Sequence, residues 1–343
     1  MLSSQGKFLR GHTKGSAAHA RRVPVVRSHG KKHEDSLHEV PLGHNVISKV
    51  SGLKDMSYQA ATVIKNEAAS LDGNVRLLTL SVSDNVEMLY GRKTNKVGGE
   101  KLTDSYSMPG QFVALKMKDG ALCSHLFSLA SSPYESHRDS YGLDASMIQV
   151  SVDALHGNAD DKAIATMGPG SELEVSPVIG RGFASLLGSA SSIPSAIEAG
   201  SPLLAIAWGS RGLISIRPLL NWTPVLAHAG SGKKVAAVYL TKNSQSAGFL
   251  SGWDLWREAG IDFNPIYSEI YDPELTSNKD EALYLLDKTL FLRPGGFSGL
   301  CGGPPSSCTV LIAGASGELA SVLVKKLNSA GVSSDSILFC DFF

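Results

Sequence analysis

Cysteine is scarce in this sequence: Cys123, Cys301, Cys308 and Cys340 are the only four in 343 residues. None are spaced as C-x-x-C, so neither a zinc site nor a disulfide scaffold is indicated, and a reducing compartment fits best. Long apolar runs are missing too. No segment reaches the ~20 uninterrupted apolar residues that a membrane helix needs, and no span is expected. Neither a Walker loop nor a Ser-His-Asp pattern is found. His137, His156 and His228 have no metal-ligand spacing, and Asp160 and Asp161 read as part of a polar turn.

Net charge is also absent, with 32 Lys/Arg against 32 Asp/Glu, but the balance is uneven along the chain. Residues 1–50 hold nine Lys/Arg and three Asp/Glu, and the rest holds twenty-three and twenty-nine. The first acidic residue is Glu34, and the segment before it is rich in Arg, Lys, Ser, Ala and His. That composition is expected of an organelle transit peptide, for the chloroplast or alternatively the mitochondrion. The other reading of 1–50 is a disordered basic tail that binds nucleic acid or an acidic partner. The remaining body is mildly acidic, so nucleic-acid binding by it is not expected.

From residue 55 the chain reads as short strands. Residues 57-SYQAATVIKNEA-68, 75-VRLLTLSVSD-84, 109-PGQFVALKM-117, 123-CSHLFSLASSP-133, 147-MIQVSVDAL-155 and 171-SELEVSPV-178 alternate or run apolar between turn signals. They predict an antiparallel barrel over about 55–188, with one helix near 159–167 and a polar loop at 91–105. Residues 184–200 read as a connector. Beyond it, continuous apolar strands at 202–208, 234–241 and 309–315 alternate with helices at 245–260, 280–291 and 317–331. A strand is expected at 261–268, and 336–343 closes the chain. This rhythm predicts an α/β unit with a parallel sheet over about 198–343. Between Cys301 and Cys308 the chain reads as a flexible connector. A crevice between two such domains is a preferred ligand site.

The motifs in order, PGQFVALKM, HLFSLASSP, SPVIGRGF, LLAIAWGSRGLISIRPLL, VAAVYLTK and the terminal TVLIAGASGELASVLVKKLNSAGVSSDSILFCDFF, resemble the ferredoxin–NADP reductase superfamily over nearly all of residues 56–343. Within it the chain is most similar to plant and algal plastid proteins akin to the kiwifruit ripening-related protein. The resemblance implies an FAD-binding barrel followed by an NAD(P)-binding α/β domain. It also implies an oxidoreductase that moves a hydride from NAD(P)H to the flavin and on to an acceptor, with a small redox protein as one candidate. A second reading keeps the fold without turnover, as a flavin-binding or assembly subunit.

Residue roles carried over from the family follow the motifs. Phe127 matches the aromatic that stacks by the flavin, and Ser128 the serine whose hydroxyl meets flavin N5. Ser131 adds a further small hydroxyl to that wall. His125 stands where the family has an Arg for the FAD pyrophosphate; a His offers one donor per face where an Arg forks. In 180-GRGF-183, Gly180 and Gly182 suit a close backbone approach to phosphate and Arg181 supplies charge. Gly209, Ser210 and Gly212, with Arg217, correspond to the nucleotide loop. That loop lacks the family's proline and carries Arg211. Lys242 is expected near a nucleotide phosphate. Gly314 follows Ala313, where many members have Cys-Gly beside the nicotinamide. Phe343, or its neighbour Phe342, would cover the second flavin face as a gate. Each of these also has an ordinary reading, as strand, turn, solvated cation or core ring.

Overall fold

Period-2 alternation in the first half and unbroken apolar strands in the second produce two different sheets. A computed structural model describes residues 52–84, 86–89, 92–95, 101–185, 191–269, 272–273, 279–292, 295–315 and 317–340.

The first sheet is antiparallel. Its strands are β1 (Gln59–Ala68) and β2 (Val75–Ser83), then, after the separate hairpin of β3 (Val86–Leu89) and β4 (Arg92–Asn95), β5 (Phe112–Met117), β6 (Leu122–Ser128), β7 (Ala145–Asp153) and β8 (Glu172–Val175). Their order is β6-β5-β8-β1-β2-β7. The sheet closes where Leu129 bridges Val150 and the Ala130 amide donates to the Gln149 carbonyl at 2.7 Å. Closure removes exposed edges. Inward positions such as Val63, Leu78, Leu80, Phe127, Ile148 and Val150 fill the barrel. Three short helices decorate it: α1 (Leu102–Ser105), α2 (Pro133–Asp139) and α3 (Ala159–Ala165). Ser132 caps α2 and Asn158 caps α3, each accepting from backbone amides of its first turn. The polar loop expected at 91–105 instead carries β4 and α1 among its described residues.

The second sheet begins with β9 (Ala184–Ser185) and continues after α4 (Ile193–Glu198). Thus the expected connector at 184–200 contains a strand and a capped helix. Next come β10 (Leu203–Trp208), α5 (Gly209–Leu220), α6 (Thr223–Gly230), β11 (Val235–Thr241), α7 (Leu250–Glu258) and β12 (Ile261–Tyr267). The chain ends with α8 (Lys279–Leu290), α9 (Gly296–Cys301), β13 (Thr309–Ala313), α10 (Gly317–Ser329) and β14 (Ile337–Phe339). Strand order is β12-β11-β10-β13-β14-β9, all parallel except the last. Both faces are covered, which is why its strands read as unbroken apolar runs.

The two faces have separate cores. Leu204, Ile206, Val238 and Ile312 pack under α8, α9 and α10. Leu203, Ala205, Ala207, Ala237 and Tyr239 pack with α5, α6 and α7, and their cluster runs on into Phe112, Ala114, Leu126 and Ala130 of the barrel. One continuous apolar layer therefore joins barrel and parallel sheet.

Two local readings change. The Gly/Ser stretch after Trp208 is the first turn of α5, so the apolar segment at 213–222 is mostly helix, with Pro218 near its end. The helix expected from 245 starts at Leu250, because Asn243 Oδ1 accepts the Gln245 and Ser246 amides in a turn at 3.0 Å each. Cys301 and Cys308, both with buried thiols, flank a surface link that carries a short helical turn at Pro305–Ser307. Among the described residues, no helix is long and apolar enough to cross a membrane.

Candidate functional site

A cavity of about 400 Å³ lies between the barrel and the carboxyl end of the parallel sheet. Strand β6 and the turn after β7 form its barrel side. Arg211, Ile214 and Ser215 of α5, with Gly314 after β13, form the other. In open parallel sheets this edge is where ligands bind.

Close backbone packing shapes the second wall. At Gly314, φ is +80°, and a Cβ there would lie 2.2 Å from the Trp208 carbonyl oxygen and 2.6 Å from the Gly212 amide. At Gly212 a Cβ would meet the Ala313 carbonyl at 2.6 Å. Both positions need glycine so that the first turn of α5 can sit against the ends of β10 and β13. Gly209 and Ser210 open the same helix, and Ser210 is buried.

Across the cavity, Ser128 and Ser215 hydroxyls meet at 2.8 Å. A hydroxyl accepts as well as donates. With Ser215 donating, Ser128 keeps its proton for a ligand atom. Phe127 lines the site but is 2% exposed, its ring sunk in the barrel core. The His125 imidazole covers it at 4.3 Å between centroids, tilted 41°. Of the two rings, His125 is therefore the more exposed to the cavity.

His125 is held by a set of residues that sequence reasoning did not single out. Its Nε2 lies 3.1 Å from Asp161 Oδ1 and its Nδ1 lies 3.1 Å from Asn158 Nδ2. Next to it, Asp160 Oδ2 accepts from the Ser124 amide at 2.7 Å and from the Ser124 hydroxyl at 2.6 Å. Burial works to raise the Asp160 carboxyl, but these two bonds and nearby His125 hold it below its ordinary value. The same carboxylates reach Cys123, whose thiol is pushed up to about 12 by burial first and then by Asp160 and Asp161. Residues 160–161 are thus the capped start of α3 facing the site, not a bystander turn.

A second charged group sits at the turn after β7. His156 Nδ1 lies 3.0 Å from Asp153 Oδ2, and its Nε2 lies 3.0 Å from Asp272 Oδ2. Lys242 Nζ reaches the same Asp272 oxygen at 3.5 Å. Burial raises the Asp153 carboxyl, yet hydrogen bonds from the His156 side chain and amide and from the Leu155 amide bring it below its ordinary value. Arg211 donates to the His156 carbonyl at 3.3 Å. Spacing gave no sign of this cluster, because Asp272 joins the local Asp153–His156 pair only through the fold.

The other expected site residues lie elsewhere. Arg217 is turned to the barrel, donating to the Ala130 carbonyl and to Gln149 Oε1 at 3.1 Å, with its guanidinium 5.1 Å from the Phe249 ring centre. Burial pushes its pKa down from the ordinary value, opposed by Glu135 and Tyr106. Ser131 is buried, sharing its hydroxyl with Ser136 at 2.7 Å and accepting from the Gln149 amide at 3.0 Å. Gly180 is held by Gln111, whose Nε2 donates to its carbonyl at 2.9 Å. Gly182 is buried and Arg181 is exposed, and none of the three lines the cavity. Phe342 and Phe343 lie outside the described residues. Among those described, no group of three or more His, Cys, Asp or Glu side chains is placed to hold a metal.

No protein-family model and no curated protein matches the chain. Solved structures do. The cytochrome P450 reductase GcoB from Amycolatopsis is 16% identical, covering 83% of this chain and 69% of its own, with a TM-score of 0.54. A ferredoxin NADP+ reductase from Neisseria gonorrhoeae, solved with FAD and NADP bound, is 13% identical, covering 82% and 97%, with a TM-score of 0.54. The flavohem-like FAD/NAD-binding domain of a Vibrio cholerae nitric oxide dioxygenase is 12% identical, covering 82% and 97%, at 0.51. The antiparallel barrel followed by a parallel, doubly covered sheet is thus the two-domain fold of ferredoxin reductase-type proteins.

Proposed function

We propose that this chain is a flavin-dependent oxidoreductase, taking a hydride from NAD(P)H onto FAD and passing the electrons to an acceptor. The observation that carries this is the cavity itself. It sets the small-hydroxyl end of β6 opposite the glycine-packed start of α5, at the carboxyl edge of the parallel sheet. The fold shared with reductases of this type supports the reading.

The residues present fit the ring of a flavin. The volume falls in the range of about 300–1,000 Å³ usual for small-ligand sites. FAD, when bound, supplies the hydride-accepting chemistry. Ser128 can donate to a ring nitrogen while Ser215 fixes its rotamer. Ile214 and the peptide at Gly314 exclude water from the α/β side, and Leu126 and Phe127 line the barrel side beside Ser128. Arg217 does not touch the cavity; it fastens α5 to the barrel and so keeps Ser215 opposite Ser128.

In this reading the nicotinamide approaches over the start of α5, and a small redox protein is the expected acceptor. The plant and algal plastid proteins remain the proposed kin, and the basic segment at 1–50 makes the chloroplast the proposed location. The test is titration of the purified full chain with FAD, followed by flavin absorbance. A perturbed band with saturable binding, weakened by Ser128→Ala, is expected. An FAD spectrum unchanged by excess protein would remove the flavin assignment. Binding without reduction by NADPH would favour the non-enzymatic flavin-binding reading.

A further inference from the structure

The cavity has two chemically different ends, set by positions on one strand. Ser128 faces Ser215 at one end, and Ser124 and His125 lie four and three residues earlier. At ~3.3 Å per residue, these ends are about 13 Å apart. A flavin whose ring rests by Ser128 therefore runs its side chain toward Ser124, His125 and the start of α3.

That far end is already committed to carboxylates. Asp161 occupies His125 at 3.1 Å, and Asp160 occupies both the amide and the hydroxyl of Ser124. Asp153 flanks them and takes His156 at 3.0 Å. Asp161 is itself fixed, since its Oδ2 also accepts the Asn158 amide at 3.0 Å. Of the cations that line the cavity, Arg211 is the one with no carboxylate partner among the described residues, and it stands on the α5 side. A diphosphate arriving at Ser124 and His125 would have to displace Asp161 and lie against like charge. Such crowding costs rather than stabilises. A ribityl chain meets the opposite situation, because its hydroxyls can donate to the Asp161 and Asp153 carboxylates, which line the cavity.

Resting on the flavin reading above, we infer that the cavity holds its flavin by the ring and ribityl chain alone. The diphosphate and adenylate of FAD add no affinity, and the flavin is an exchangeable ligand rather than a resident group.

Calorimetric titration of the full chain with riboflavin, FMN and FAD tests this. The expected Kd for riboflavin equals or is below that for FAD, with all three within about tenfold. FAD binding more than about tenfold tighter than riboflavin would overturn the inference and leave the flavin reading intact. If none of the three binds, the flavin reading itself fails and the inference with it. A double variant, His125→Arg with Asp161→Asn, keeps the cap acceptor while supplying a fork for phosphate. It should tighten FAD relative to riboflavin by about tenfold or more. Equal effects on both ligands would overturn the inference. The wild-type series decides the matter alone if the variant does not fold.

Discussion

His156 and Asp272 lie 3.0 Å apart across the junction, and the other nitrogen of the same imidazole lies 3.0 Å from Asp153. One ring on the turn after the barrel's β7 is therefore fastened to a carboxylate beyond β12 of the parallel sheet. Asp153 and Asp272 are only 4% and 8% exposed, so neither can turn to water for a replacement partner. His156→Ala is expected to destabilise the protein by about 1–3 kcal/mol, the usual worth of hydrogen bonds to charged groups, since Asp272 keeps Lys242 and Asp153 keeps the amides of residues 155 and 156. Calorimetry reads this as a fall of several degrees in Tm. An unchanged Tm would show that the link contributes nothing.

The same link sets a pH dependence. The Asp153 carboxyl is held below its ordinary value, 3.8, in the folded protein. Its contribution is full above that ordinary value and is lost as pH falls through the lower folded one. The Tm gap between wild type and Asp153→Asn should thus be widest near neutrality and shrink in acid. A gap that widens in acid would reverse the sign argued here.

Gly314→Ala addresses the other wall. The new Cβ would stand 2.2 Å from a carbonyl oxygen, at a left-handed φ that side chains rarely adopt. A loss of about 2–4 kcal/mol is expected, with α5 pushed off the sheet and weaker flavin binding. A fully stable variant would mean that the close packing is not required.

Cys123 provides a chemical check. Its thiol is buried and pushed up to about 12, so almost no thiolate exists at pH 8. Iodoacetamide should leave it unlabelled in the native protein and label it once denatured, as peptide mass spectrometry would show. Rapid native labelling would contradict both the burial and the negative surroundings.

Much of the fold was legible because each half has its own period. Alternation along 75–83 and 147–152 marks a barrel, and the unbroken runs at 203–208 and 235–241 mark a covered parallel sheet. Local capping was less visible. Asp160 and Asp161 read as a polar turn, yet the Asp161 carboxylate that completes the α3 capping box also reaches His125 of β6, and Asp160 reaches Ser124. The site was legible along β6, at His125, Phe127 and Ser128, at the glycines of α5, and at Gly314. Asp161, Ser215, Asp272 and the Asp153–His156 pair were not, since His125, Ser128 and the His156–Asp272 contact bring them together from tens of residues away. Arg217 shows the reverse: its position suggested a nucleotide contact, but the structure turns it to the Ala130 carbonyl and Gln149.

The contact between Ser128 and Ser215 places a donor at the cavity's reactive end. Its loss in Ser128→Ala should slow NADPH-driven flavin reduction by about tenfold, the worth of one hydrogen bond in the transition state. The decisive measurement is the anaerobic bleaching of flavin by NADPH, followed by absorbance in the presence of the full chain. Bleaching that rises with protein concentration, and is about tenfold slower with Ser128→Ala, is the expected result. Bleaching no faster than in protein-free solution, under conditions where the flavin is bound, would contradict the oxidoreductase account.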